Sequence, residues 1–403
     1  MPDRSHTFVA YLRAQYANVF SRPWPVIPSA LVIAALNVFL FAFDRPWTAS
    51  DGIRNWGDWL FRLVGVLDQR DLLSPWLYSG SLLNLGLLFG GLSAALLSRE
   101  FGIRRAPNIE LVKGAIGGLM MGWGAMLAFG CNIGGFFSAS SALSLSGLAM
   151  MAGLLGGVYL ATRCLIRENA RVISEGRIPF ASTCEAPQQI APASPQYTLQ
   201  PIAGALVLLA LFAAGLFYRQ SGYGPQAVLL FFGAAFGIVL QRSRFCLVRA
   251  FREPFMSGES EHARAAALAL LLSMIGFTIL KSTDLKDAGE WVFPSFWLGA
   301  LLGGSVFGIG MVIAGGCGAG SLWRAGEGHI KLWVAVLFFA MGAAMMRLFL
   351  TQTELIGELG SATFLPNLVG WGGALSVVVV VMALWYVVSG WNEQRKGAGA
   401  LTF

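Results

Sequence analysis

The chain has 403 residues, of which 56% are hydrophobic and only 12% charged, about half the charge of an ordinary soluble domain. That composition excludes water as the main solvent, and the net charge of +7 does not point to nucleic acid, because the basic residues gather at the ends of apolar windows. Five cysteines, an odd number with three in or beside apolar windows, argue against a secreted disulfide framework and read as reduced thiols.

In chain order, seven windows lack Asp, Glu, Lys and Arg altogether: 26–43, 72–98, 114–162, 197–218, 220–241, 291–323 and 359–391. A helix needs roughly 20 apolar residues to cross about 30 Å of hydrocarbon. On that measure ten spans are expected, near 26–43, 77–98, 111–130, 147–166, 201–218, 225–241, 263–280, 294–314, 331–350 and 366–389. The window 114–162 exceeds two spans and should hold more than a hairpin. The first span is followed by Phe43-Asp44-Arg45-Pro46 instead of a small-residue cleavage site, so it is expected to be retained.

An N-terminus on the inner side puts Arg4, Arg13, Arg22, Arg99, Arg104, Arg105, Lys113, Arg163, Arg242, Arg324 and Arg395 in inner loops. Asp51, Asp58, Asp68, Asp71, Asp284 and Asp287 then fall in outer loops, the sign pattern of the positive-inside rule. Residues 167–199 are polar and rich in Pro, Ala, Ser and Gln, and they read as a cytoplasmic linker. The expected organisation is a membrane half over 1–166, the linker over 167–199 and a second half over 200–403. Cys184, in the linker, carries no expected role.

A repeat is the most informative feature. Gly117, Gly118, Gly122, Gly124, Ala128, Gly130, Cys131 and Gly134 recur as Gly303, Gly304, Gly308, Gly310, Ala314, Gly316, Cys317 and Gly320, each displaced by 186 residues. Internal repeats are how many transporter folds build a substrate site near the midplane. The span count makes this repeat inverted. Gly118/Gly122 and Gly304/Gly308 have the spacing that lets membrane helices approach closely. The glycine clusters around Cys131 and Cys317 differ, since so many glycines weaken a helix by up to about 1 kcal/mol each relative to Ala. The helix should break at both. Broken backbone at membrane depth is tolerated only where protein buries it or where it lines a watery cavity. A short helix from Phe136 to Leu145 is expected after the first break, offering N–H groups to an anion.

Cysteines have a bland alternative, since a buried one is most often a small hydrophobe, and Cys164 is read that way. Cys131 and Cys317 occupy one repeat position at a predicted break, which favours a role. Cys246 lies among Arg242, Arg244, Arg249 and Arg252. Arginines at the end of a span serve as topology anchors, yet four near one thiol would also concentrate anions. Arg324 does the same for the second repeat unless Glu327 neutralises it. His6, His262 and His329 lie apart from the cysteines, so no metal site or cofactor is expected, and no phosphate-binding GxxxxGK[ST] loop is present in the sequence.

The contexts Gly122-x-Gly124-x5-Gly130-Cys131, Arg244-Phe245-Cys246 and Gly308-x-Gly310-x4-Gly315-Gly316-Cys317 together resemble the YeeE/YedE family of sulfur-compound transporters. The segments around Asn132, Phe136 and Phe137, and from Ala314 to Gly328, are more similar to the YedE branch, which is associated with selenium transport. The resemblance implies an all-α polytopic fold of about ten helices in two pseudo-symmetric halves, an hourglass with short re-entrant helices around a cysteine-lined path. It implies that Cys131, Cys246 and Cys317 line the constriction, with Gly130, Asn132, Gly134, Gly316, Gly320, Arg244 and Arg324 beside them. The implied solute is a small sulfur anion such as thiosulfate, or a selenium analogue. The implied setting is the lipid bilayer of a bacterial inner membrane, with a cytoplasmic sulfur- or selenium-accepting protein as partner. A different class also fits the thiols: a membrane enzyme in which one cysteine becomes persulfidated for a partner. The N-terminal span and the Asn132, Phe136 and Phe137 setting depart from the thiosulfate-transporting pattern.

Overall fold

In a computed structural model the described residues are 11, 15–67, 72–174 and 196–399. Ten helices among them are long and apolar enough to cross a membrane, and they coincide with the ten expected spans. The protein is an all-α polytopic membrane protein. Its main helices are α1 (Val26–Phe43), α2 (Ser50–Leu63), α3 (Ser79–Leu97), α4 (Asn108–Leu127) and a short α5, π-helical over Asn132–Ser138 and α-helical over Ala139–Ser141. There follow α6 (Leu145–Ser174), α7 (Gln196–Gln220), α8 (Gly224–Ser243), α9 (Leu247–Met256), α10 (Glu261–Ser282), α11 (Leu298–Ala314), α12 (Gly318–Gly326), α13 (Ile330–Gln352) and α14 (Leu365–Gly399). The last is broken at Gly370, whose φ is +72°.

The helices pair in a pattern that repeats. α3 packs on α8 as α10 packs on α1, α13 on α4 as α6 on α11, α13 on α2 as α6 on α9, and α12 on α3 as α5 on α10. This relates α1–α7 to α8–α14, five spans and two short helices in each set. The two sets meet where α4 crosses α11. There, a Cβ on Gly117 would lie 2.6 Å from Gly310 O and Ala314 N, and one on Gly303 the same distance from Gly124 O and Ala128 N. Gly124 meets Gly303 O and Phe307 N, as Gly310 meets Gly117 O and Met121 N. Low residue numbers on one helix face high numbers on the other, so the helices are antiparallel and the repeat is inverted. Only hydrogen side chains permit that approach, and close backbone contact is what associates helices where no hydrophobic force does. Gly118 and Gly122 seat instead against α13, and Gly304 and Gly308 against α6.

Three differences from the sequence reading have plain causes. The short helix after Cys131 starts at Asn132, not Phe136, and ends at Ser141, because Cys131 itself is the N-cap and Gly134 and Gly135 tolerate the wide π-helical turn. The linker is shorter than 167–199: α6 continues to Ser174 and α7 begins at Gln196. Its charged last turns remain helical beyond the apolar stretch, where Glu168 pairs with Lys113 at 2.5 Å. Residues 175–195, with Cys184, lie outside the described residues. Finally, Asp51 and Asp58 belong to α2 instead of an outer loop. Its Asp51 pairs with Arg45, and Asp58 sits 3.3 Å from Arg54 and 3.4 Å from Arg347.

One end of the bundle can be traced from contacts. Trp24 N–H donates to Arg242 O, Asn392 to Pro254 O and Ser260 to Glu393, so the N-terminal approach, the α8–α10 turns and the end of α14 share one face. Arg104, Lys113, Glu327 and Lys331 lie on it too. That face carries Arg22, Arg104, Lys113 and Arg242, all assigned above to inner loops.

Candidate functional site

Each of the three repeated or arginine-flanked cysteines caps a short helix. Cys131 is the N-cap of α5, Cys246 of α9 and Cys317 of α12. Two residues before each stands a backbone in the left-handed region: Phe129 (φ +59°), Arg244 (+57°) and Gly315 (+79°). That conformation ends a helix by turning the chain out of the helical path, so the long helix stops and the cysteine begins a short one that packs on other helices, α5 on α6, α9 on α10 and α12 on α3. The counterpart of α9 in the first set is α2, capped by Ala49 between Thr48 and Ser50. Three cysteines and one alanine therefore occupy four related caps.

The caps converge. A Cβ on Gly318 would touch Ala49 Cβ at 3.4 Å, joining the starts of α12 and α2. Ser50 Oγ accepts the Cys131 N–H at 3.1 Å, and Thr48 Oγ1 lies 3.9 Å from Cys131 Sγ. Asn132 is within hydrogen-bonding reach of Cys317 and within 4.0 Å of Met311 Sδ. The Phe136 and Phe251 rings, 5.4 Å apart, tie α5 to α9. All three cysteines belong to one contiguous buried cluster, with exposures of 0%, 3% and 3%. The repeat extends to single hydrogen bonds: Gly135 N–H donates to Cys131 O at 2.6 Å and Ser321 N–H to Cys317 O at 2.7 Å. Gly320 N–H also donates to Cys317 Sγ at 3.4 Å.

A helix start leaves N–H groups without intrahelical partners and carries about half a positive charge. The starts of α2, α5 and α12, brought together by these contacts, favour an anion there. The glycines serve this geometry. A side chain on Gly130 would strike Gly135 N at 2.4 Å, one on Gly134 would strike Thr48 Oγ1 at 2.4 Å, and one on Gly316 would meet Ser321 Oγ at 2.7 Å. Gly320 faces Cys317 Sγ at 3.2 Å.

The arginines are arranged otherwise than the sequence suggested. Arg244 pairs with Glu327 at 2.7 Å and Glu100 at 2.6 Å, Arg242 with Glu100 at 3.5 Å, Arg249 with Glu259 at 3.0 Å and Arg252 with Glu253 at 2.6 Å. Each has a carboxylate, so the net positive field at Cys246 is smaller than four arginines imply. Glu327 is fully buried and is held by Arg244, by Arg104 at 3.6 Å and by Gln241 at 3.0 Å. Burial alone would raise its carboxyl, but Arg244, His329 and Gln241 outweigh that and hold it at about 2. Arg324, also buried, donates to Gly315 O at 3.4 Å and lies over the Trp323 ring. It steadies the Gly315 turn before Cys317.

Cys164 is exposed on the flank of α6, away from the convergence. Thr48, Ala49 and Ser50 were not legible as site residues. Their one sequence signal, two hydroxyls bracketing a helix start in Thr48-Ala49-Ser50-Asp51, is shared by many helix caps.

Comparison with known proteins adds a decisive observation: residues 6–160 and 242–400 match the family described as Sulphur transport, and both cysteine-bearing arms fall within those segments. The chain belongs to this family, the YeeE/YedE family. It is similar to "Probable transporter YedE" of Escherichia coli K12, 24% identical over 92% of this chain and 93% of that protein. It is also similar to "Thiosulfate transporter TsuA" of the same organism, 35% identical over 39% of this chain and 45% of that one. A third relative, "Thiosulfate transporter TsuA" of Spirochaeta thermophila, is 41% identical over 28% of this chain and 34% of its own length. This family member is a multi-pass membrane transporter of a sulfur compound, not an enzyme.

Proposed function

We propose that the protein imports a small sulfur-containing anion such as thiosulfate, or a selenium analogue, past Cys131, Cys246 and Cys317 in turn. The observation that carries this reading is that three of four related helix starts are capped by a cysteine, with the starts of α2, α5 and α12 in contact. The N–H groups and helix dipoles attract the anion's charge. The thiols offer weak, polarisable contacts that bind a soft sulfur or selenium atom without the depth of a full positive charge. Weak successive sites allow exit as well as entry. Gly130, Asn132, Gly134, Gly316 and Gly320 shape the constriction, while Arg244 and Arg324 hold the turns that present Cys246 and Cys317.

The basic face is taken as cytoplasmic, in a bacterial inner membrane, by the positive-inside rule. The solute would be delivered there to a sulfur- or selenium-accepting protein. Uptake of radiolabelled thiosulfate, selenite and sulfate into proteoliposomes holding only this chain tests the reading. Thiosulfate or selenite should accumulate and sulfate should not. Accumulation of none, in protein shown to be folded, would end it. Mass spectrometry after substrate exposure tests the covalent alternative, since a stoichiometric persulfide needed for uptake would replace the non-covalent relay.

A further inference from the structure

Residues 283–297, between α10 and α11, form a loop over the start of α5 on the side opposite the basic face. α10 begins on the basic face, where Ser260 meets Glu393, and its 22 residues end at Ser282, about 30 Å farther along the bundle. From this loop two aromatic side chains reach the two flanks of Cys131. Phe293 lies against Phe129, two residues before the cysteine, with ring centroids 6.5 Å apart. The Trp291 indole N–H donates to Gly134 O at 3.3 Å, three residues after it. The two rings touch each other, centroids 5.1 Å apart, and the indole also packs against Phe41, Ala142 and Phe277. Cys131 is fully buried beneath them, whereas Trp291 and Phe293 are half-buried.

The ends of the loop are fastened more firmly than its middle. Buried Lys281 donates to Ala142 O and Ala288 O, each at 2.9 Å, Lys286 to Asp44 O at 2.6 Å and Ser295 to Ala128 O at 3.2 Å. In the middle, the Trp291 indole and the Phe293 N–H reach groups that each have another partner. Gly134 O also accepts from the Ala139 N–H. Ser144 Oγ, which accepts the Phe293 N–H at 3.4 Å, lies 2.7 Å from Ser146 Oγ. If residues 289–294 lift away, neither acceptor is left without a donor, and the freed N–H groups pass to water, so the movement avoids the penalty of an orphaned buried group. Trp291 also has a φ of +64°, a conformation that a bulky residue keeps only where its surroundings hold it.

We propose that Trp291, with Phe293, closes the outer approach to Cys131, and that an incoming solute displaces the indole before it meets the thiol. Trp291 is then a gating residue at the outer end of the path, hinged between the anchors at Lys281, Lys286 and Ser295. The identity of the solute, though not the cover over Cys131, rests on the transport reading above.

The test is the rate at which an anionic methanethiosulfonate modifies Cys131 in the detergent-solubilised full chain, for wild type, Trp291→Ala and Trp291→Phe. Mass spectrometry reads each cysteine separately, with exposed Cys164 as the internal reference. Alanine removes the cover and should speed modification of Cys131 about tenfold or more. Phenylalanine keeps a ring but loses the indole N–H, and should speed it about threefold. A Cys131 rate in Trp291→Ala within about twofold of wild type would overturn the proposal. An unfolding midpoint within about 3 °C of wild type marks a variant as folded. If the alanine variant fails that criterion, the phenylalanine variant decides, and a rate equal to wild type overturns the gate. Thiosulfate uptake into proteoliposomes separates this proposal from the transport reading. Faster Cys131 modification in folded Trp291→Ala supports the gate even if wild type carries no thiosulfate. Uptake by wild type, with Cys131 modification unchanged in the variants, overturns the gate and leaves the transport reading standing.

Discussion

Arg244 Nη1 lies 2.7 Å from Glu327 Oε1. The contact joins the left-handed turn that presents Cys246 to the end of the helix that Cys317 begins. Two of the three thiols are thereby fixed relative to each other by one buried charge pair, reinforced by Glu100 at 2.6 Å from the same guanidinium.

Replacing Glu327 by Gln should destabilise the protein by about 1–2 kcal/mol at neutral pH, since it leaves the partly exposed Arg244 and Arg104 guanidiniums facing a neutral amide. The carboxyl is held at about 2 against an ordinary 4.5. Its contribution is therefore complete above pH 4.5 and is lost as pH falls toward 2. Thermal unfolding in detergent from pH 7 to pH 3 should show the gap between wild type and variant narrowing below pH 4.5. A gap that widened on acidification would contradict the assignment.

Cys131→Ala, Cys246→Ala and Cys317→Ala should each reduce thiosulfate uptake sharply while costing only about 1 kcal/mol of stability, because one small buried residue replaces another. Cys164→Ala should transport as wild type, its side chain being exposed on α6. Serine at the three positions retains a donor and loses the polarisable sulfur. Full activity in all three serine variants would mean that hydrogen bonding suffices and soft-sulfur contact is unnecessary.

Ser50→Ala removes the acceptor of the Cys131 N–H and leaves that buried group unsatisfied, a cost of about 1–3 kcal/mol. Uptake should fall with stability, and Ser50→Thr, which keeps the hydroxyl, should retain more of both. Unfolding midpoints and initial uptake rates measured on the same preparations would check this. An alanine variant as stable as wild type would mean the hydrogen bond is dispensable.

Gly124→Ala should compromise folding, because its Cβ would lie 2.5 Å from Gly303 O and Phe307 N at the crossing of α4 and α11. Backbone atoms of two packed helices cannot yield as a flexible side chain can. Gly156→Ala is the control, with nothing within 4 Å of its added carbon; it should be neutral or stabilising by up to about 1 kcal/mol. Recovery of monodisperse protein after solubilisation reads the difference.

Most of the architecture is written in the linear chain, because spanning helices are dictated by solvent. A run of about 20 uncharged residues has one low-energy arrangement in hydrocarbon, with every backbone group bonded internally. The constant displacement of Gly117 to Gly134 onto Gly303 to Gly320 likewise announces the inverted repeat and both helix breaks. What the chain alone could not disclose depends on contacts between distant segments. Ser50 and Thr48 meet Cys131 across some eighty positions, and nothing local distinguishes them from ordinary helix caps. The left-handed turn at Arg244 has no glycine to signal it. The carboxylate partners of Arg242 and Arg244 are Glu100 and Glu327, far from Cys246 in the chain, so a cluster that looks strongly basic in sequence is largely compensated in space. Charge and hydropathy decide where the chain crosses the bilayer, and tertiary packing decides which buried polar groups find one another.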